Sequence, residues 1–300
     1  MDKVIAIVGP TSSGKTALSV WLAQELGLPG QEGEVISADS RQVYRGLDIG
    51  TGKATQGEME GVPHHLLDVA DPKEVFSAAE YVDLGRKAIS GIIGHGHVPI
   101  IAGGTGFYVD ALVGTVSLAE VPTNKGLRDS LKHASLEELN QKLEALDPEK
   151  AKTIDRKNRV RIVRTIEIVS TLGAMPKITP KKLYDVLWIG ITLPKEKLEE
   201  KIRSRLHARM EAGMLQEAER LHTEGLSYER MESLGLEYRF MAWHLQGLLT
   251  FAEMKKDLES AIRAYAKRQM TWFKKNKAIE WFNPEDKEKV LERVKKFLAR

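Results

Sequence analysis

The chain has 300 residues, 42% of them hydrophobic and 29% charged, with a formal net charge of +3. That length suits one large domain or a core with a smaller insert, and two compact units are expected. No apolar stretch approaches the roughly 20 residues that cross a bilayer, and the absence of cysteine excludes disulfides, thiolate catalysis and cysteine-bound zinc.

The chain opens in a strand-type apolar run, Val4 to Val8, with no basic region, long apolar segment or small-residue cleavage site ahead of it, so a cytoplasmic location is expected. A Gly-rich loop follows, then a helix pattern through Ala17, Leu18, Trp21, Leu22 and Leu26 that Gly27 can end. Val35 and Ile36 start a second short strand, which runs out at Asp39 and Ser40. Ser77 and Glu80 form a capping box, in which the serine oxygen accepts from an early backbone N–H while the glutamate reaches back, and the helix they open runs to Gly94 and Gly96. Val98 to Ala102 is the next strand, broken by Gly103 and Gly104. Strands separated by helices in this order imply right-handed crossovers, and so an α/β fold with a parallel sheet covered by helices on both faces.

After Gly114 the pattern is helical only: Ser135 with Glu138 is a second capping box, Asp147 and Pro148 mark a stop, and a helix over Val160 to Leu172 can end at Gly173. A strand-like run, Val186 to Ile191, returns the chain to the sheet, and everything beyond Pro194 reads as helix. The expected division is a P-loop core over 1–116 and 185–300 with a helical insertion domain over 117–184. Between Pro122 and Lys182 there are 14 Lys+Arg against 8 Asp+Glu, a local balance of +6 that leaves the remainder at −3. The positive charge is segregated into the insert, the pattern of an electrostatic footprint for nucleic acid.

Gly9-Pro10-Thr11-Ser12-Ser13-Gly14-Lys15-Thr16 is a full match to G-x-x-x-x-G-K-[ST], lying between a strand and a helix as its mechanism requires. The glycines let the backbone fold round a phosphate, successive N–H groups and the helix N-terminus face the anion, Lys15 adds a point charge, and the Thr16 hydroxyl can hold Mg²⁺. The loop establishes a di- or triphosphate without saying which, and with no Asn-Lys-x-Asp stretch to read guanine a GTPase is disfavoured.

Ligands in open parallel sheets sit beyond the carboxyl ends of the strands, so the other strand ends matter. Asp39 stands at one of them, able to bind Mg²⁺, to accept a proton or to cap the next helix. Ala102-Gly103-Gly104-Thr105-Gly106 stands at another, where glycine permits close approach and the Thr105 hydroxyl can meet a phosphate oxygen or cap locally. His64 and His65, adjacent in sequence, lack same-face metal-ligand geometry, and one is expected to be a buried hydrogen-bonding residue.

Together GPTSSGKT, ISADSRQVYRGLDIGTGK (Ile36 to Lys53), PHHLLD (Pro63 to Asp68), IIAGGTGFY (Ile100 to Tyr108) and YAKRQMTWF (Tyr265 to Phe273) resemble the tRNA dimethylallyltransferases over nearly the whole chain. The resemblance implies transfer of a dimethylallyl group from dimethylallyl diphosphate to N6 of the adenosine next to the anticodon, with Mg²⁺ and release of diphosphate. It further implies that the P-loop holds the donor's diphosphate and that the adenosine is turned out of the anticodon loop, where single-stranded bases are accessible. Asp39 would then accept the N6 proton while Lys15, Mg²⁺ and Thr105 stabilise the leaving group. Asp39, Ser40, Arg41, Gln42, Thr105 and Arg128 align with family positions that touch the anticodon stem-loop, and a monomer is expected. Two features depart from the family: Leu236-Glu237-Tyr238-Arg239 replaces an Ile-Gly-Tyr-Lys/Arg block, and the C-terminal zinc finger of eukaryotic members is excluded by the missing cysteines. The chain is bacterial in type.

The run Arg156 to Arg164 combines cations with helical apolar spacing, which makes Arg159, Arg161 and Arg164 candidates for RNA phosphate contact. Near the C-terminus Leu258, Ile262, Tyr265 and Phe273 share one helix face opposite Arg263, Lys267 and Lys274. Gln269 falls within the apolar face, as a satisfied amide or a substrate contact, and Trp272 reads as packing. The rival readings are a P-loop nucleotide kinase or an adenylate prenyltransferase, which would share the core, and a non-catalytic RNA-binding protein, which would share only the insert.

Overall fold

The computed structural model describes residues 1–26, 32–176 and 179–300. The expected helix end at Gly27 lies outside them. In chain order the first half runs β1 (Lys3–Val8), α1 (Lys15–Glu25), β2 (Gly33–Ser37), α2 (Gln56–Met59), β3 (His64–His65), α3 (Ala78–Gly94), β4 (Val98–Gly103) and α4 (Gly106–Val113). Four short helices follow, α5 (Lys125–Ser130), α6 (Leu136–Leu146), α7 (Pro148–Thr153) and α8 (Arg159–Leu172). The chain then returns through β5 (Asp185–Ile191), α9 (Lys195–Glu211), α10 (Met214–Thr223), α11 (Tyr228–Leu234), α12 (Leu236–Leu245), α13 (Phe251–Phe273), β6 (Glu280–Phe282) and α14 (Lys287–Leu298). Two compact units result, one of Met1–Thr115 with Lys182–Arg300 and one of Val116–Lys181.

In the larger unit six parallel strands lie in the order β3-β2-β4-β1-β5-β6. The central β1 is wholly buried from Val4 to Val8, which is why it reads as an unbroken apolar run rather than an alternating one. Ser77 and Glu80 close the capping box at the start of α3. The reading of everything after Pro194 as helix fails at β6, and β3 carried no strand signal either. Both are edge strands, of three and two residues, too short to show a periodicity.

β2 starts with a buried carboxylate, Glu34, hydrogen-bonded to His65 Nε2 and His97 Nδ1 at 2.6 Å each. Burial alone would raise its pKa, but those bonds outweigh it and hold the carboxyl below its usual range. His65 is therefore a half-buried partner of Glu34, and His64 Nδ1 meets the Val62 carbonyl at 2.9 Å. Neither is fully buried, against expectation.

The smaller unit packs Leu131, Leu139, Leu143, Ala151, Ile154, Ile162 and Ile166 into its own core. Ser135 and Glu138 form the capping box of α6, and Gly173 ends α8 in the left-handed conformation. Beside that core lies Glu167, 0% exposed, which accepts from Arg128 Nε at 2.7 Å, Arg128 Nη2 at 2.9 Å, Arg164 Nη1 at 2.8 Å and the Asn124 amide at 2.9 Å. Burial would raise its pKa; the two arginines prevail and hold it at about 2. Glu167→Gln leaves both guanidinium groups without their counter-charge and is expected to destabilise the insert by about 3–5 kcal/mol in thermal unfolding. A native pKa below the unfolded one gives stability that is present above pH 4.5 and lost as pH falls toward about 2. The variant should lack that loss, and an unchanged acid profile would show the ion pair to be unimportant.

Candidate active site

The P-loop leaves β1 at Gly9, where a side chain would run into the Ile191 carbonyl of β5 and where φ is 149°, a conformation only glycine adopts readily. The loop wraps back so that Lys15 Nζ donates to the Pro10 carbonyl at 2.7 Å. Desolvation, aided by the nearby Arg205 cation and opposed by Asp39, pushes the Lys15 pKa down to about 7. Ser13 Oγ is buried with no partner among the described residues, while the Thr16 side chain is exposed at the first turn of α1.

Two further loops leave the same edge of the sheet, after β2 and after β4. Asp39 Oδ1 accepts from the amides of Arg41 at 2.8 Å and Gln42 at 3.4 Å, so the carboxylate shapes its own turn. Thr105 makes no side-chain cap on α4; its Oγ1 accepts from the Ser40 amide at 3.1 Å and ties the β4 loop to the β2 loop. The local-cap alternative for Thr105 is thereby set aside.

Gln269 is a satisfied amide that also lines the cleft. It is 5% exposed on α13, its Oε1 accepting from Thr11 N at 2.8 Å and its Nε2 donating to the Gly104 carbonyl at 3.0 Å. Any side chain on Gly104 would collide with this amide. Leu258, Ile262, Ala266 and Phe273 bury the same helix, whereas Tyr265 is half-buried and turns toward the site rather than the core. Its phenol is pushed well up, by burial first and then by the Asp39 charge. Trp272 is a packing residue, as read: Nε1 donates to Asp110 at 2.8 Å and Phe107 meets its ring edge-on.

These loops enclose a cleft of about 370 Å³ lined by Thr11, Lys15, Thr16, Asp39 to Gln42, Gly103 and Gly104. Its far wall was not foreseen. Arg205 and Arg209 of α9, with Glu237, Arg239 and Arg268, complete the lining. Arg205 donates to the Gly52 carbonyl at 2.9 Å, and Arg209 to the Gly50 carbonyl at 3.1 Å and to Glu237 at 2.7 Å. The available signal was the i, i+4 spacing of Arg205 and Arg209 beside the buried Ile202 and Leu206, an unusual placing for two cations. The divergent block Leu236 to Arg239 also belongs here, and Leu236 holds φ at 36°, a backbone strain of about 1–3 kcal/mol.

The candidate RNA contacts of the insert divide. Arg128 and Arg164 are committed to Glu167, Arg164 also donates to the Val121 carbonyl at 2.7 Å, and Arg159 donates to the carbonyls of Leu131, Lys132 and Ala134. Their guanidinium groups hold the insert together. Arg161 is exposed and makes no side-chain bond among the described residues, which leaves it available to an outside anion.

A family model described as IPP transferase matches residues 42–276. The chain is 38% identical to a tRNA dimethylallyltransferase of Anoxybacillus flavithermus over 95% of this chain and 91% of that one. It is 42% identical to tRNA dimethylallyltransferase 1 of Geotalea uraniireducens over 91% and 88%. Among solved structures, the tRNA isopentenylpyrophosphate transferase of Bacillus halodurans superposes with a TM-score of 0.73 at 36% identity, covering 100% of this chain and 96% of that one. A eukaryotic dimethylallyltransferase acting on tRNA gives 0.74 at 28% identity over 91% and 70%.

The bridge from α13 generates a test of the cleft. Gln269→Leu keeps the volume but strands the Thr11 N–H and the Gly104 carbonyl, each costing about 1–3 kcal/mol when buried unpaired. The expected result is a lower melting temperature together with weaker binding of inorganic diphosphate by calorimetry. Parental diphosphate affinity in that variant would mean that the P-loop holds its shape unaided.

Proposed function

The chain belongs to the IPP transferase family, and from that premise we propose that it moves a dimethylallyl group from dimethylallyl diphosphate to N6 of the adenosine 3′-adjacent to the anticodon of tRNA, acting as a monomer. The relatives support prenyl transfer to tRNA over the kinase and adenylate alternatives. The observation that carries the mechanism is the meeting of the P-loop and Asp39 in one cleft walled by Arg205 and Arg209, with Thr105 behind the lining holding the Ser40 amide of the Asp39 turn.

The P-loop amides, Lys15 and the two arginines would bind the diphosphate, drawing Lys15 back to its charged form. The N6 amine attacks the allylic carbon, the carbon–oxygen bond breaks, and both bonding electrons leave with the diphosphate. These cations are fixed before the charge develops, which is where electrostatic stabilisation is most effective. The N6 proton passes to Asp39, whose Oδ1 is engaged by its own turn and whose Oδ2 is the oxygen left for it. Adenine N6 is a poor nucleophile because its lone pair is delocalised into the ring, so a placed base lowers the barrier.

Mg²⁺ fits this donor set, because the Thr16 hydroxyl and the Asp39 carboxylate, both hard oxygen donors, share the cleft. A hard cation that keeps its waters needs only one or two protein oxygens beside the substrate phosphates. Thr16 would hold it, and when bound it would neutralise charge on the leaving diphosphate. No helix of the described residues is long and apolar enough to cross a membrane. The cytoplasmic location belongs to the same proposal and rests on the tRNA substrate.

Incubation of unmodified tRNA with labelled dimethylallyl diphosphate and Mg²⁺ is the direct assay; label reaching a free nucleotide instead would overturn the reading. In Asp39→Asn the turn keeps its oxygen acceptor but loses the base. The single-turnover rate should fall by about 10²- to 10⁴-fold with tRNA and donor binding unchanged. A surviving rate with altered Mg²⁺ dependence would make Asp39 a metal residue. In the insert, Arg161→Gln should weaken tRNA binding and reduce the slope of log K against log salt by about 1; an unchanged slope would place no phosphate at Arg161.

A further inference from the structure

A buried carboxylate of the larger unit stands outside the cleft lining: Glu217, on the first turn of α10 and 6% exposed. A carboxylate that far from water must be satisfied by donors. Glu217 finds them in one stretch of backbone: Oε2 accepts from the amides of Asp48 at 3.0 Å and Ile49 at 2.8 Å, and Oε1 from the amide of Gly50 at 2.8 Å. A fourth donor is the Tyr238 hydroxyl at 2.6 Å, itself only 1% exposed. Three successive amides converging on an anion are the pattern of an anion-binding nest. Here the anion is the protein's own.

The other side of the same loop faces the cleft arginines. The Gly50 carbonyl accepts from Arg209, and the Gly52 carbonyl from Arg205 and from Gln42 Nε2 at 3.2 Å. The loop is closed behind them by Lys53, whose ammonium reaches the Tyr44 carbonyl at 2.9 Å and Asp48 at 2.6 Å. Each amide shares its plane with the preceding carbonyl, so Glu217 fixes the Asp48 and Ile49 carbonyls; these accept from the Lys53 amide at 2.9 Å and the Gly52 amide at 3.0 Å, and the Lys53 amide shares its plane with the Gly52 carbonyl. Gly50 is pressed so close to Tyr238 that an added side chain would overlap the ring. The loop thus has little room to re-form elsewhere.

We propose that Glu217, braced by Tyr238, is a positioning residue for diphosphate capture: it fixes the loop from Asp48 to Gly52 so that two of its carbonyls hold Arg205 and Arg209 toward the cleft. This inference rests on the reading that the cleft takes a diphosphate. It assigns to a residue outside the cleft lining a part in ligand affinity, where a purely structural role would affect stability alone.

The test compares the parent with Glu217→Gln and Tyr238→Phe, using inorganic diphosphate as the calorimetric probe and steady-state kinetics with donor and tRNA. Glu217→Gln should raise the diphosphate Kd and the donor KM by about tenfold, the scale of a misdirected charge-assisted hydrogen bond, with the tRNA KM unchanged. Tyr238→Phe should move the same quantities less. Combined with Arg205→Ala, Glu217→Gln should add less than it does alone, because the group it positions is already gone. A folded Glu217→Gln variant with a lower melting temperature but parental diphosphate Kd and donor KM would overturn the proposal, as would full additivity with Arg205→Ala. Should the glutamine variant fail to fold, Tyr238→Phe decides, and parental diphosphate affinity there overturns the proposal equally. A parent that binds no diphosphate would instead overturn the functional reading beneath it.

Discussion

The side-chain amide of Gln269 is the contact on which the geometry of the site depends. A P-loop follows its own strand, and the Gly-rich loop after β4 follows another; β1 and β4 pair directly up to Val8 and Gly103, and past that register something else must tie the two loops together. Gln269 does so by accepting from Thr11 and donating to Gly104 from one helix that the apolar face of α13 anchors in the core. Thr105 then passes the registration on, since its hydroxyl holds the Ser40 amide and with it the turn that carries Asp39. The P-loop and the turn that carries Asp39 are thereby held in register by two side chains, Gln269 and Thr105.

Cationic side chains outnumber anionic ones in the cleft lining. Lys15, Arg205, Arg209, Arg239 and Arg268 face Asp39 and Glu237. Burial depresses Lys15, and it depresses Arg205 too, with Arg209 adding to the effect. Cations crowded and desolvated like this are held at a cost that an arriving polyanion reverses. A neutral or cationic ligand would leave that repulsion in place, whereas a polyanion such as the proposed diphosphate would relieve it.

What was legible in the sequence is what local chemistry dictates. The P-loop, the capping boxes at Ser77 and Ser135 and the apolar strands each declare themselves within about ten residues, the range over which periodicity and caps operate. The place of Asp39 in the cleft lining was also legible, because a strand end beyond a P-loop is a place as well as a residue type, whereas Thr105 is not among the residues that line the cleft. Arg205 and Arg209 were not, since their meaning comes from loop carbonyls more than 150 positions away. Gln269 was visible as a misfit in an apolar face but ambiguous until its two partners were known. The strands at His64 and Glu280 were silent because pairing at a sheet edge asks little of two or three residues.

Charge counting over the insert shows the same boundary from the other side. The balance of +6 is real, yet a sum of formal charges treats every arginine as available to a partner. Glu167 is 0% exposed and absorbs two of them, and backbone carbonyls take the guanidinium of Arg159. Those groups still contribute to the long-range field, which depends on net charge and falls off over a Debye length, about 10 Å at 0.1 M salt. They do not contribute the short contacts that release counterions from RNA, because a donor already bonded inside the protein must break that bond first. Two functions that sequence reading merged therefore separate. The net charge of the insert sets its long-range field, while close contact with an outside anion is open only to exposed, uncommitted cations such as Arg161.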